Sequence, residues 1–367
     1  MNRKLKALTA AAFMAGTMLG SVSTSQAVEF GKEGEAVNLV IGYQPYYTES
    51  WSGVVNNGKA FWKNHLPEGS TAEFQVGLQG SVIVNAMTGE KQHIGYMGDM
   101  PAIASTFRNL KDRGGTDIRI VATLGTSKQQ CNIFLVRNDA PEFANGVDAV
   151  KWMDGKTTSA PHGACTDRFA QLAFEKAGIE PKRYLNQNIE VITTNFRAGK
   201  LDAAAIWEPT ATKMVKAGLA RRVATGEDFN ALDGAFMVML NDLISQRPDV
   251  VKGWLNAELD AQLFIADPSN ADAVATMAEA QTEQIDKSVL SAALFEGPSG
   301  TTKLSLDFTI NDRAQSLLKD ATAFLYSLPK KPAAAESIRP DGVMPNFAAE
   351  VLAERGLTSP VGVISSK

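Results

Sequence analysis

The sequence predicts a two-lobed α/β protein, and three observations predict it. Short apolar stretches of strand character alternate with helical stretches from Val37 onward, the pattern of sheets covered by helices on both faces. The chain of 367 residues is longer than one hydrophobic core usually organises. The alternation also restarts near Cys131, so a second compact unit interrupts the first.

In order, the strands expected in the first unit are Val37 to Tyr43, Thr71 to Val76, His93 to Tyr96, Ile118 to Leu124 and Asn132 to Val136. Helices are expected over Gly53 to His65 and Gly80 to Met87, with another starting at Gly98 to Pro101. The second unit offers strands at Thr157 to Ala160, Glu190 to Ile192 and Ala203 to Trp207. Its helices are Thr166 to Ala177, closed by Gly178, and a short one from Asn195 to Ala198. After Leu232 come a strand at Ala235 to Leu240 and helices over Val250 to Ile265, Asn270 to Ile285 and Asn311 to Leu325. A Lys-Pro segment follows from Lys330 to Pro332. The sheets are expected to be parallel. The resulting division is a leader at 1–27, lobe 1 at 28–129, lobe 2 at 130–230, and a return to lobe 1 with C-terminal helices at 231–367.

The leader is read from Arg3, Lys4 and Lys6, an apolar stretch from Leu8 to Leu19, and small residues up to Ala27. That is the make-up of a secretory signal peptide cleaved after Ala27. Its apolar stretch is shorter than the roughly 20 residues a spanning helix needs. The expectation is an exported, periplasmic protein without stable membrane insertion. A formal net charge of −4 without blocks of like charge gives no footprint for nucleic acid. The two cysteines, Cys131 and Cys165, could form a disulfide in an oxidising compartment or remain two small buried thiols; spacing alone leaves both open.

Catalytic and metal motifs are thin. His65, His93 and His162 stand far apart without a second ligand at zinc-like spacing, and no nucleophile elbow or P-loop occurs. A non-enzymatic protein without metal or cofactor is expected. Binding chemistry is better represented. Gly80-Ser81, Gly98-Asp99-Met100 and His162-Gly163-Ala164-Cys165-Thr166 each put small residues at a strand end before a helix, where free amides carry partial positive charge and can hold an anion. Gln44, Tyr46, Tyr47 and Trp51 gather aromatic rings after the first strand, as the wall of a cleft would. Glu208, in Trp207-Glu208-Pro209, stands where it could meet a ligand cation. An isolated instance of any of these is ordinary capping or packing; three helix starts in one chain favour a site.

Taken together, these stretches resemble the substrate-binding proteins of ABC importers for taurine, alkanesulfonates and nitrate. The resemblance runs over nearly all of the chain after the leader. It is carried by Gly42-Tyr43-Gln44, by Gly89 to Gly95 leading to Gly98-Asp99-Met100-Pro101-Ala102, by Phe196 to Ala204 leading to Trp207-Glu208-Pro209, and by Arg247-Pro248-Asp249-Val250-Val251-Lys252. The segments Ala321 to Leu325 and Pro332 to Ala335 resemble the taurine branch. The resemblance implies a type II-like periplasmic binding fold with two crossover strands as its hinge. It also implies a small anionic ligand, an inner-membrane permease as partner and a monomer. Ligand-binding candidates are Gln44, Tyr46, Trp51, Gly80, Ser81, Asp99, Met100, Cys165, Thr166, Asn195 and Glu208. The acid that meets the ligand ammonium in taurine-type proteins has its nearest counterpart in Asp233, out of register. Two further readings are the same fold binding a flat heterocycle, such as a thiamine-precursor pyrimidine or an aromatic acid, and a pyrimidine-forming thiamine enzyme. The latter's cysteine-rich signature is absent.

Overall fold

A computed structural model describes residues 28–108, 117–283, 285–329 and 337–366. The expected leader at 1–27 and the segment Lys330 to Ala335 lie outside the described residues. The chain starts with strand β1 (Asn38–Tyr43), helix α1 (Trp51–Lys59), β2 (Thr71–Val76), α2 (Gly80–Thr88), β3 (Ile94–Gly98), α3 (Asp99–Arg108) and β4 (Ile118–Ser127). It then passes to a second sheet. There follow β5 (Ile133–Val136), α4 (Gly146–Trp152), β6 (Thr157–Ala160), α5 (Cys165–Ala177), β7 (Arg183–Asn186), α6 (Ile189–Arg197), β8 (Ala203–Ile206), α7 (Thr210–Lys216), β9 (Arg221–Thr225) and α8 (Gly226–Phe229). The return runs through β10 (Asp233–Leu240), α9 (Asn241–Gln246), α10 (Pro248–Ala266), α11 (Ala271–Gln281), α12 (Lys287–Phe295), β11 (Thr302–Leu306), α13 (Asp312–Ser327), α14 (Asn346–Glu354) and β12 (Gly362–Ser365).

The first sheet has the order β12-β11-β4-β10-β3-β1-β2, and the second β7-β6-β8-β5-β9. The chain crosses between them twice, at 128–132 and at 230–232. Both sheets are mixed, not parallel as the alternation suggests. β1 runs parallel to β2 and β3, but β10 runs antiparallel to both β3 and β4. β10 re-enters the first sheet from the second unit, and coming from that side it must run against its neighbours. β4 and β10 are buried along their whole lengths, including Arg119, Thr123, Thr126 and Ser127 of β4 and Asp233 of β10.

Other differences have local causes. The helix expected over Gly53 to His65 stops at Lys59, because Ala60 adopts a left-handed conformation (φ 53°) after the weak helix formers Asn56, Asn57 and Gly58. A single tight turn at Phe61–Asn64 then tucks Trp62 into the core. Glu190 to Ile192 is helix, not strand. The Asn188 side chain caps α6 by accepting from the Val191 amide, and Ile192 and Phe196 share its buried face. The strand of that region is β7, just upstream. The helix expected from Asn270 to Ile285 ends at Gln281, and α12 begins as a separate helix at Lys287.

Candidate functional site

Between the two sheets lies a cavity of about 170 Å³. Apart from Leu325, the segments that shape it follow the carboxyl ends of strands, the position where open α/β sheets collect ligands. β1 delivers Gln44 and Tyr47, β2 delivers Gln79, Gly80 and Ser81, and β3 delivers Gly98, Met100 and Pro101. From the second sheet, β6 delivers Pro161 to Cys165 and β8 delivers Trp207. Leu325 of α13 closes one side.

Three helix N-termini, those of α2, α3 and α5, meet at this cavity. Their local sequences leave donors unused. Gln79 and Ala164, the residues preceding α2 and α5, make no side-chain cap. The first-turn amides beside them therefore point to the cavity with the positive end of each helix dipole. Gly80 is required by packing: a Cβ there would sit 2.4 Å from Cγ of Pro101, so only glycine lets α2 start this close to α3. Gly163 holds a left-handed conformation (φ 79°) and donates to Asp167, turning the chain into α5. Gln44 is 4% exposed, lines the cavity, and its Oε1 has no hydrogen-bond partner. Among the described residues, no lysine or arginine lines the cavity.

The polar groups behind the lining form a buried cluster. Asp99 caps α3 by accepting from the Met100 amide at 2.7 Å, and pairs at 2.6 Å with Arg168 of α5, which also donates to the Leu232 carbonyl. Burial nonetheless raises the Asp99 carboxyl above its ordinary range. The Tyr47 hydroxyl donates to Glu49. Burial first, then the neighbouring Asp233, pushes Glu49 well up, and burial with Asp99 nearby pushes Asp233 up to about 8. Cys131 and Cys165 are joined by a disulfide with Cα atoms 6.2 Å apart, which ties the first crossover to the start of α5.

The sequence-derived candidates are distributed unevenly. Gln44, Gly80, Ser81, Met100 and Cys165 line the cavity. Tyr46, Trp51, Asp99, Thr166, Asn195 and Glu208 do not. Trp51 is 1% exposed in the core, its indole donating to the Pro45 carbonyl. Tyr46 turns outward, its hydroxyl accepting from the Glu283 amide, and Tyr47 takes the place at the cavity. Glu208 points away to Thr212 and Arg222, leaving Trp207 at the cavity wall. Asn195 is near the end of α6, remote from the three helix starts. Thr166 is wholly buried beneath the start of α5, its hydroxyl oxygen unpartnered. Sequence reasoning missed Gln79 and Leu325 at the cavity and Arg168 behind it, and named His162 only as part of the helix start that ends at Thr166. The one available signal was that Gln79 and His162 directly flank the Gly-Ser and Gly-Ala turns.

No protein-family model matches the sequence, and no curated protein matches it. Solved structures do resemble it. The periplasmic aliphatic sulphonate binding protein SsuA from Escherichia coli is 19% identical, with TM-score 0.65 over 84% of this chain and 93% of that one. The periplasmic nitrate-binding protein NrtA from Synechocystis PCC 6803 is 14% identical, with TM-score 0.65 over 87% and 89%. The desulfurization enzyme DSZB is 15% identical, with TM-score 0.62 over 87% and 99%. At these identities the likeness is one of fold. The chain therefore has the two-sheet α/β fold found in periplasmic sulfonate- and nitrate-binding proteins, the fold its sequence resemblance implies.

Proposed function

We propose that this protein is the exported solute-binding component of an ABC importer and captures a small organic anion, a sulfonate such as taurine or an alkanesulfonate, for delivery to a membrane permease. The observation that carries the reading is the convergence of three helix N-termini, from both sheets, on one small cavity that no lysine or arginine among the described residues lines. Such a site neutralises an anion through many weak donors and so releases it readily, as a carrier must. The cavity is close to the roughly 150 Å³ that accommodates benzene, which suits a ligand of a few heavy atoms. The leader composition at 1–27 supports export with cleavage after Ala27. Among the described residues no helix is long and apolar enough to cross a membrane. In this reading 28–129 and 231–367 form lobe 1 and 130–230 lobe 2, and the ligand draws them together about the crossovers.

An enzymatic reading finds less support. The sulfur at the cavity, that of Cys165, is held in the disulfide and is no free nucleophile. A second binding reading has a specific observation behind it: the rings of Tyr47 and Trp207, 6.4 Å apart edge to face, both line the cavity and could hold a flat heterocycle or aromatic acid. A thermal-shift screen against taurine, alkanesulfonates, nitrate, pyrimidines and aromatic acids separates the two. Ligand at 100 times its dissociation constant stabilises by about 2.7 kcal/mol, a readily measured shift. Stabilisation by sulfonates alone, weakened in Ser81→Ala, is the expected result. Stabilisation by ring compounds alone would move the reading to the second, and no stabilisation by any compound would sink both.

A further inference from the structure

The floor of the cavity is formed in part by Tyr47 and Cys165, and a carboxyl group lies behind each. Tyr47 donates to Glu49. A carboxylate oxygen of Asp233 lies within 4.8 Å of the sulfurs of Cys131 and Cys165. Glu49 and Asp233 are 1% and 0% exposed; with one proton between them the two carboxyls hydrogen-bond each other, and the Cys131 backbone faces Asp233.

The charged and titratable groups facing this pair are Tyr47 from the same loop as Glu49, Asp99 from α3 and Arg168 from α5, with the Cys131 backbone behind. Arg168 is committed to Asp99, and their charges cancel. His162 is a further titratable group in the cavity lining, three residues before Cys165. The positive charge available to a ligand is then that of three helix N-termini at about half a charge each, roughly 1.5 in all. This compensates one negative charge fully and only about half of a second. The remainder of the second would stay uncompensated in a buried region, where its cost is high.

We propose that the Glu49–Asp233 carboxyl pair is a charge filter for the anion site. While the pair holds its protons the site accepts a monoanion, and it rejects a second negative charge, whether carried by the ligand or created by ionising the pair. The inference rests on the small-anion reading above. Burial and the neighbouring carboxyls favour the protonated pair, and Asp233, pushed up to about 8, gives up its proton on the alkaline side, so anion affinity should fall there.

Methanesulfonate and sulfate test this, being nearly equal in size and differing by one charge, with methyl sulfate as a second monoanion that controls for the methyl contact. Calorimetric titration near pH 7 should show both monoanions binding at least about 100-fold more tightly than sulfate. Between about pH 7 and pH 9 methanesulfonate affinity should drop about tenfold in the parent and stay level in Glu49→Gln/Asp233→Asn. His162 is intact in that variant, so an alkaline loss originating there would persist. Sulfate binding as tight as methanesulfonate, or an undiminished alkaline loss in the folded variant, would overturn the filter while leaving the anion receptor standing. Should the double variant not fold, Asp233→Asn alone serves, and the comparison of probes in the parent decides without any variant. Failure of all three probes and of nitrate to bind would instead remove the small-anion reading and the filter with it.

Discussion

Glu258 sits wholly buried in α10 and touches nothing in the cavity, yet it sets a clear expectation for stability. Its neighbours are Gln262 one turn on, which donates to it at 2.9 Å, and the hydroxyls of Ser52 and Tyr96, while Trp254 donates to Tyr96 at 3.0 Å. Burial pushes its carboxyl from an ordinary 4.5 up to about 7. The folded state therefore keeps a proton that the unfolded chain gives up, so the stabilisation is complete below pH 4.5 and is lost as pH rises through 7. Glu258→Gln should remove this loss and make the protein more stable than the parent at pH 8 by up to about 3 kcal/mol. Urea unfolding at pH 5 and pH 8 checks it; an unchanged pH slope in the variant would show that the carboxyl does not titrate there. None of this could be read from the sequence, where a glutamate in an amphipathic helix is by default a solvated one. Trp51 and Tyr46 mislead for the same reason: aromatic residues next to a cleft are indistinguishable in sequence from those beneath it, and only the turn after Gln44 decides that Tyr47 faces the cavity.

Among the elements, the helix starts carry the site. Gly80→Ala is a small change with a large expected effect, since its Cβ would lie 2.4 Å from Pro101 and must push the start of α2 away from α3. Overpacking of this kind costs about 1–3 kcal/mol. Here we expect at least a tenfold loss of ligand affinity, because the donors of α2 move with its backbone. Calorimetry with the ligand found by the screen, beside a melting curve, measures both; unaltered affinity would place the ligand away from α2. The helix starts were the most legible part of the site in the sequence, because small residues between an apolar strand and a helix recur three times, where a single instance would be ordinary capping. Their convergence was not legible. It depends on sheet order, and the antiparallel return of β10 leaves no trace in local sequence.

At the scale of the whole molecule, the two units meet both around the cavity and away from it, where α7 packs on α12 and Lys216 donates to the Ser288 carbonyl. Trp207 donates to the Tyr46 carbonyl at 3.1 Å, Thr48 donates to Gln130 at 2.6 Å, and Arg168 reaches Asp99. The disulfide fastens the first crossover to α5. It closes a loop of 34 residues, so replacing both cysteines by serine should cost about 4 kcal/mol through the greater freedom of the unfolded chain. The serine variant should also bind ligand more weakly, since α5 loses its tether beside the cavity. Chemical denaturation and calorimetry of the double variant test the two effects separately; full stability without the bridge would mean that packing alone fixes α5. The sequence left bridge and separate thiols equally open, because thirty-odd residues of intervening chain say nothing about whether two Cα atoms finish 6.2 Å apart.

The cavity presents its donors from the main chain, and this bears on how the site can be lost or altered. No single side-chain deletion removes a backbone amide, so scanning the lining with alanine should yield many modest defects and few complete ones. The damaging changes should fall where the path of the backbone is decided, at Gly80 against Pro101 and at the left-handed Gly163. Variation in what the site accepts is then free to accumulate at Gln44, Tyr47, His162 and Trp207, whose side chains give the cavity its shape while the anion-holding frame stays in place.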